Sequence, residues 1–197
     1  MNPKILTRST DYQVTAVDVR KQLRSFDPSE DDLIGLYIAA AVENIESSIK
    51  ATIPATEFRM VLTGFPPVNR DGKRPLYFYR PPVDSVQLFE YKDVNGQWQT
   101  MTENVDYLVD LDGDDPALYP MPGQNWLDSN LYDGPSNLRV TYTASMGQLP
   151  SMLKLAIIQI AATAFKIRAS VTDLDYKNLP GSASIDRQLD EYRRQAL

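Results

Sequence analysis

The side chains able to do chemistry are few and mostly of one kind. The 197 residues include no histidine and no cysteine. That removes the commonest general base, the Ser-His-Asp triad, the thiolate nucleophile, disulfides and the usual transition-metal ligands. Carboxylates remain. The loop Asp110-x-Asp112-Gly113-Asp114-Asp115 gathers acids as a calcium loop does. An EF-hand loop, however, needs glycine at its sixth position and glutamate at its twelfth. Here glycine is fourth and the twelfth residue is Met121, so a solvated hairpin turn is the better reading and no metal site is expected. Asp106, Asp110, Asp112 and Asp128 could supply a carboxylate pair for glycoside hydrolysis, and Trp98 and Trp126 a carbohydrate platform. Tyr77, Tyr79, Tyr91, Tyr107 and Tyr142 sit instead at strand positions, where aromatics are favoured for packing alone. No Walker loop, G-x-G-x-x-G or G-x-S-x-G occurs, so neither a catalytic residue nor a cofactor is expected.

The charge balance narrows the partners. A net charge of −6 disfavours binding nucleic acid by phosphate neutralisation, which needs clustered Lys and Arg. The opening residues MNPKILTRST carry no apolar signal region, which predicts a soluble protein made in a cytoplasm.

The element that must organise the rest is Leu149 to Val171, the most apolar run in the chain. Pro150 suits a first helical turn, where its missing N–H would have no partner. Leu153, Ile157, Ile160 and Ala164 recur at helical spacing, and Ile158, Ala162 and Phe165 form a second stripe beside them. Two stripes demand cover on most of the circumference. Lys154, Gln159, Lys166 and Arg168 interrupt the run, so it cannot span a bilayer and no membrane partner is expected. Ala161, Ala162 and Ala164 permit close approach of another helix.

Upstream, residues 1–13 read as an extended arm or loop. Thr15 can cap a helix with Asp18 closing the box, facing Val17, Leu23 and the stem of Arg20 inward and ending near Phe26. Ser29, with Asp32 three residues on, opens a second helix that runs to about Lys50. Along it Ile34, Ile38, Ala41, Ile45 and Ile49 form one stripe, widened by Leu33, Tyr37 and Ala40. The period then falls from 3.6 to 2. Strands are predicted around 58–63, over Leu76–Tyr79, over Val83–Tyr91 with Val83, Ser85, Gln87, Phe89 and Tyr91 on one side, over Trp98–Met101 after the Asn95-Gly96 turn, over Tyr107–Leu111, and over Leu138–Ala144. A proline-punctuated loop covers Leu118 to Pro135. The fold class is α+β: a core of three main helices (14–52 and 149–171) carrying an antiparallel β insertion (57–147), with residues 172–197 forming a linker and a C-terminal docking helix.

That last helix places Ile185, Leu189, Tyr192 and Ala196 on one narrow stripe, flanked by Arg187, Arg193 and Arg194. Alone it is too short to be stable. It either folds back on its own domain or docks as a helix in a groove on a partner.

Several strings, in order along nearly the whole chain, carry a resemblance. They are Val14-Thr15, Val19-x-x-x-Leu23-Arg24, Asp31-Asp32-Leu33-Ile34, the stretch LYFYRPPVDSV with Pro81-Pro82-Val83-x-Ser85-Val86, Asp106-Tyr107, Leu118-Tyr119-Pro120, Val140-Thr141-Tyr142-Thr143-Ala144, and Leu149-Pro150-x-x-Leu153-Lys154-x-Ala156-Ile157. With them the sequence resembles the head–tail connector (adaptor) proteins of long-tailed bacteriophages, the gp6-like connector family. It departs from them after the second helix, where relatives often have Thr-Gly and this chain has Ala51-Thr52-Ile53-Pro54.

The resemblance implies a non-enzymatic component of the virion neck. It implies a homo-oligomeric ring, commonly of about twelve copies, that docks on the portal protein after packaging. The ring would bridge the portal to the next neck or tail-completion protein and leave a channel through which DNA passes without specific binding. By the same analogy Ile185, Arg187, Leu189, Tyr192, Arg193 and Arg194 would grip the portal. Ile34, Ile38, Ile45, Ile158, Ala162 and Phe165 are the expected subunit contacts. The alternatives are a carbohydrate-binding or hydrolytic virion accessory, and a tail-completion protein of another neck layer.

Overall fold

The computed structural model describes residues 3–25, 27–70, 72–112, 115–167 and 181–195, leaving out the side chains of 129 and 193–195. The expected helix end at Phe26, the acids at Asp114, the spine beyond Ile167, the linker to Pro180 and the stripe residue Ala196 lie outside the described residues. Among those described, strand β1 (Lys4–Arg8) precedes helices α1 (Ala16–Leu23) and α2 (Asp31–Ile49). Strands β2 (Thr56–Leu62), β3 (Leu76–Tyr77), β4 (Val83–Lys92), β5 (Trp98–Met101), β6 (Tyr107–Asp110), β7 (Ala117–Pro120) and β8 (Leu138–Ala144) follow. Helices α3 (Ser151–Ile167) and α4 (Ser182–Gln195) close the chain. The α+β class stands. No helix among the described residues is long and apolar enough to cross a membrane.

The chain divides into two compact units: residues 9–54 with 146–197, and residues 1–8 with 55–145.

The first unit is helical. Helix α3 packs against α1, α2 and α4, and α2 also touches α1 and α4. Leu153, Ile157, Ile160 and Ala164 of the first expected stripe are fully buried together with Ala156 and Ala161, whereas of the second stripe Ala162 is buried and Ile158 and Phe165 are half-buried. Opposite them lie Ile34, Ile38, Ala41, Val42, Ile45 and Ile49 of α2. Each such aliphatic side chain taken out of water contributes about 1.5–3 kcal/mol.

Helix α1 begins at the expected capping box. The Asp18 carboxylate accepts from the Thr15 N–H at 3.0 Å and Thr15 Oγ1 accepts from the Asp18 N–H at 3.3 Å. Its buried face differs from the expectation. Val19 is fully buried, while Val17 is 45% exposed. Arg20 forms an ion pair with Asp31 at 2.8 Å. Over eight residues the two valines point to different faces, and packing, not periodicity, selects one.

Helix α2 starts at Asp31 with Glu30, not Ser29, at its N-cap, and no side chain caps it. At its other end Lys50 takes the left-handed turn (φ 57°). Buried Glu46 then reaches past the turn, and its Oε1 accepts from the Ile53 N–H at 2.7 Å. This carboxylate holds the corner at which the sequence departs from the connector pattern. Gln13 ties two further segments of the same unit, donating to the Gly147 carbonyl at 2.6 Å and accepting from the Leu149 N–H at 3.0 Å.

The second unit holds two antiparallel sheets, ordered β1-β2-β8-β4-β5 and β3-β7-β6. The predicted loop at the N-terminus is in fact the edge strand β1, paired with β2 about fifty residues away in sequence. Part of the proline-punctuated loop is β7, whose Leu118 faces Leu76 on one side and Val109 on the other. Strand β4 carries two register shifts against β8, between Val83 and Ser85 and between Val86 and Leu88. Residues sharing the inner face are therefore Val83, Val86, Phe89 and Tyr91, opposite Ala144, Tyr142, Val140 and Leu138. Each bulge inserts one residue and flips the alternation, so Ser85 and Gln87 do not share the side of Phe89.

The core of this unit is aromatic. Phe65 stacks on Trp126 with centroids 4.7 Å apart. Phe89 meets Tyr107 edge-on at 5.2 Å, and Tyr142 lies 4.9 Å from Phe78. The buried Tyr142 hydroxyl donates to the Tyr79 carbonyl at 2.6 Å, and burial pushes its ionisation well above the ordinary tyrosine range.

Candidate functional site

Two of the four candidate carboxylates, Asp128 and Asp106, have local structural partners. Asp128 is held by a two-point ion pair with Arg74. Asp106 accepts the Thr102 N–H at 2.7 Å inside a turn. At the Asn95-Gly96 hairpin, Asp93 accepts from the Gln97 N–H at 3.0 Å and the Gln99 amide at 2.9 Å. Those donors, Gln97 first, hold its carboxyl below the usual range. Asp110 and Asp112 carry no resolved partner of this kind. Among the described residues no three acids come together in a way that could hold a metal ion.

Neither tryptophan is an open platform. Trp126 is 4% exposed and donates its Nε1–H to the Arg74 carbonyl at 2.8 Å. Trp98 is covered by the Arg139 guanidinium 4.0 Å above its ring and by Lys92 at 5.1 Å. Arg139 is in turn paired with Glu90, which is 7% exposed.

The C-terminal helix folds back. Ile185 is 4% exposed and Leu189 fully buried within the helical core, and Tyr192 packs partly against it. The alternative in which this stripe seats on a partner leaves these side chains unavailable, because their own unit already covers them. Arg187 is exposed on the opposite side. The side chains of Arg193 and Arg194 lie outside the described residues.

The expected subunit contacts are also placed inside. Ile34, Ile38, Ile45 and Ala162 are buried within the unit, and Ile158 and Phe165 are half-buried against the same core. What faces solvent is a different set: Val17 on α1, Leu33 and Leu36 on α2, and Met152 and Leu155 on α3. Leu33 thus does not widen the inner stripe. The signal that could have found these residues is their register. Each is apolar yet lies out of phase with the buried stripe of its helix.

No protein-family model matches the sequence, and no curated protein matches it. Solved structures do. A chain in the neck of the native GTA particle, computed with C12 symmetry, superposes with a TM-score of 0.70 at 17% identity, over 98% of this chain and 95% of that one. A chain in the neck of the empty GTA particle, computed with C6 symmetry, gives 0.72 at 19% identity, over 98% and 95%. A chain from the virion of the native gene transfer agent (GTA) particle gives 0.68 at 18% identity, over 90% and 94%. Over 98% of its length, this chain shares the fold of chains in the necks of gene transfer agent particles.

Proposed function

We propose that the chain is a structural, ring-forming head–tail connector of a tailed virion or similar particle. In this reading it sits at the neck, docks on the portal, and bridges it to the next neck or tail protein around the channel used by DNA. The observation that carries the reading is the full-length fold likeness to particle-neck chains, with 98% of this chain and 95% of the neighbour superposed.

Three features support it. The net charge of −6 suits a channel along which DNA must slide without sticking, since like charge suppresses phosphate binding. The neighbouring particle necks were computed with C12 and C6 symmetry, which fits a homo-oligomeric ring. Asp128 is engaged in an ion pair, Asp106 in a turn, Trp126 in the core and Trp98 beneath two cations, which favours a structural role over a hydrolytic one.

Portal docking by the C-terminal helix would use its outward side, with Arg187 exposed and Arg193 and Arg194 nearby in sequence. Deleting the helix is a poor test, because Ile185 and Leu189 complete the helical core. Charge reversal, Arg187→Glu, leaves that core intact. Native mass spectrometry of the chain mixed with its portal is expected to give a complex of defined multiple copies, weakened in Arg187→Glu. No association between the wild-type chain and the portal would count against the reading.

A further inference from the structure

Resting on the ring reading above, we propose the pair of surfaces through which one copy holds the next. The outward stripe of α2 seats in the cleft at the C-terminal end of α1 of the neighbouring copy. A closed ring needs a heterologous contact, two different patches on one subunit that are complementary to each other. Copies of net charge −6 repel, which favours a contact that sets opposite local charges together. The helical unit carries one patch of each kind.

On α2, Asp32, Leu33, Leu36 and Glu43 are exposed at helical spacing, with Leu36 64% exposed. This is a short apolar ridge with a carboxylate at either end. On α1, Val17 and Lys21 stand one turn apart, and with Arg20, Ser25 and Arg24, which takes the left-handed turn that ends the helix, they line a cleft of about 510 Å³. A second cleft of about 510 Å³ is lined by Leu23, Arg24, Phe165 and Lys166. Arg20 is tied to Asp31, whereas Lys21, Arg24 and Lys166 are exposed. The clefts thus have apolar walls and a cationic rim.

Leu33 and Leu36 match Val17, Leu23 and Phe165 in chemistry, and Asp32 and Glu43 match the three cations. The occupant is a second copy because the two halves of the contact stand on different helices of one chain. A ridge and cleft of opposite charge on the same subunit propagate head to tail. An exposed leucine alone would need no explanation. Its place in an acidic ridge that a cationic cleft complements is the reason for the assignment.

This chain has no native cysteine, so a crosslink between two of its copies can form only through introduced ones. In assembled particles, the double variant Leu36→Cys with Val17→Cys, treated with a short bis-maleimide, is expected to give a ladder of covalent multimers on a denaturing gel. Either single variant should stay monomeric. Dimers from Leu36→Cys alone would mean that the ridge meets its own copy, and would overturn the proposal. So would a monomeric double variant in particles whose neck still shows the ring. If the double variant fails to assemble, charge exchange decides. Asp32→Lys should lose the ring and Asp32→Lys with Arg24→Asp should restore it, and no restoration overturns the assignment. A wild-type chain that forms no ring in the particle would instead defeat the connector reading itself.

Discussion

The two units solve the same burial problem with different side chains, and the difference decides how each can fail. The helical unit is built from aliphatic residues and alanine in regular stripes, with α3 at its centre. The β unit is built from rings: Phe58, Phe65, Phe78, Phe89, Tyr107, Trp126 and Tyr142 meet across two sheets. Small side chains let helices approach closely and place the stabilisation in many modest contacts. Rings place it in a few large ones, so one truncation in the β unit should hurt more. Both tryptophans, Trp98 and Trp126, belong to the β unit, so indole fluorescence follows that unit while the far-ultraviolet helical signal follows mainly the other.

The largest effects test this contrast. Phe89→Ala removes a fully buried ring that touches Phe65, Tyr107 and Trp126, and should cost about 3–5 kcal/mol, read first in fluorescence. Ile157→Ala should cost about 2–5 kcal/mol, read first in the helical signal. If either variant shifted both signals together by the same amount, the two units would not be separate in stability.

A middle-sized effect concerns the corner after α2. Glu46→Ala leaves the Ile53 N–H without its acceptor inside the protein and should cost about 1–3 kcal/mol of the helical transition in denaturant. An unchanged midpoint would show that the carboxylate does not hold the corner.

A smaller one concerns the capping box. Thr15→Ala should cost about 1 kcal/mol. The backbone N–H of Thr15, more than its hydroxyl or the charge of Lys154, holds the Asp18 carboxyl below its ordinary value of 3.8. A depressed acid stabilises the fold above its unfolded-state value and loses that contribution as pH falls through the folded one. The helical transition of the wild type should therefore weaken as pH drops below about 4, and Asp18→Asn should flatten that part of the profile.

The smallest runs the other way. Gly35 lies inside α2, and an added Cβ there would meet nothing within 4 Å. Gly35→Ala should stabilise the helical transition by about 0.5–1 kcal/mol, raising its midpoint, and leave the fluorescence midpoint where it was.

The contrast also explains what could be read from the residues alone. Ile34, Ile38, Ala41, Ile45 and Ile49 announce their buried face because a long helix samples its period several times. Strands β5 and β8 lie where alternation and the Asn-Gly turn put them. Strand β1 was illegible because its pairing with β2 is non-local and Lys4, Ile5 and Thr7 remain exposed. Strand β7 hid between Pro116 and Pro120, and the bulges of β4 broke the alternation on which its inner face was judged. The interaction surfaces were hardest. Apolar stripes such as Ile34-Ile38-Ile45 and Ile185-Leu189 mark what a helix must bury, and periodicity does not tell a chain's own core from a partner. The structure assigns both stripes to the chain's own core, leaving Leu36 and Arg187 outside.

Everything about function turns on where the chain sits in the particle and in how many copies. Reconstruction of the particle neck, without imposed symmetry, measures both. The account predicts a closed ring of this chain on the axis along which the genome leaves, one face against the portal. A single copy, or copies placed away from that axis, would contradict it.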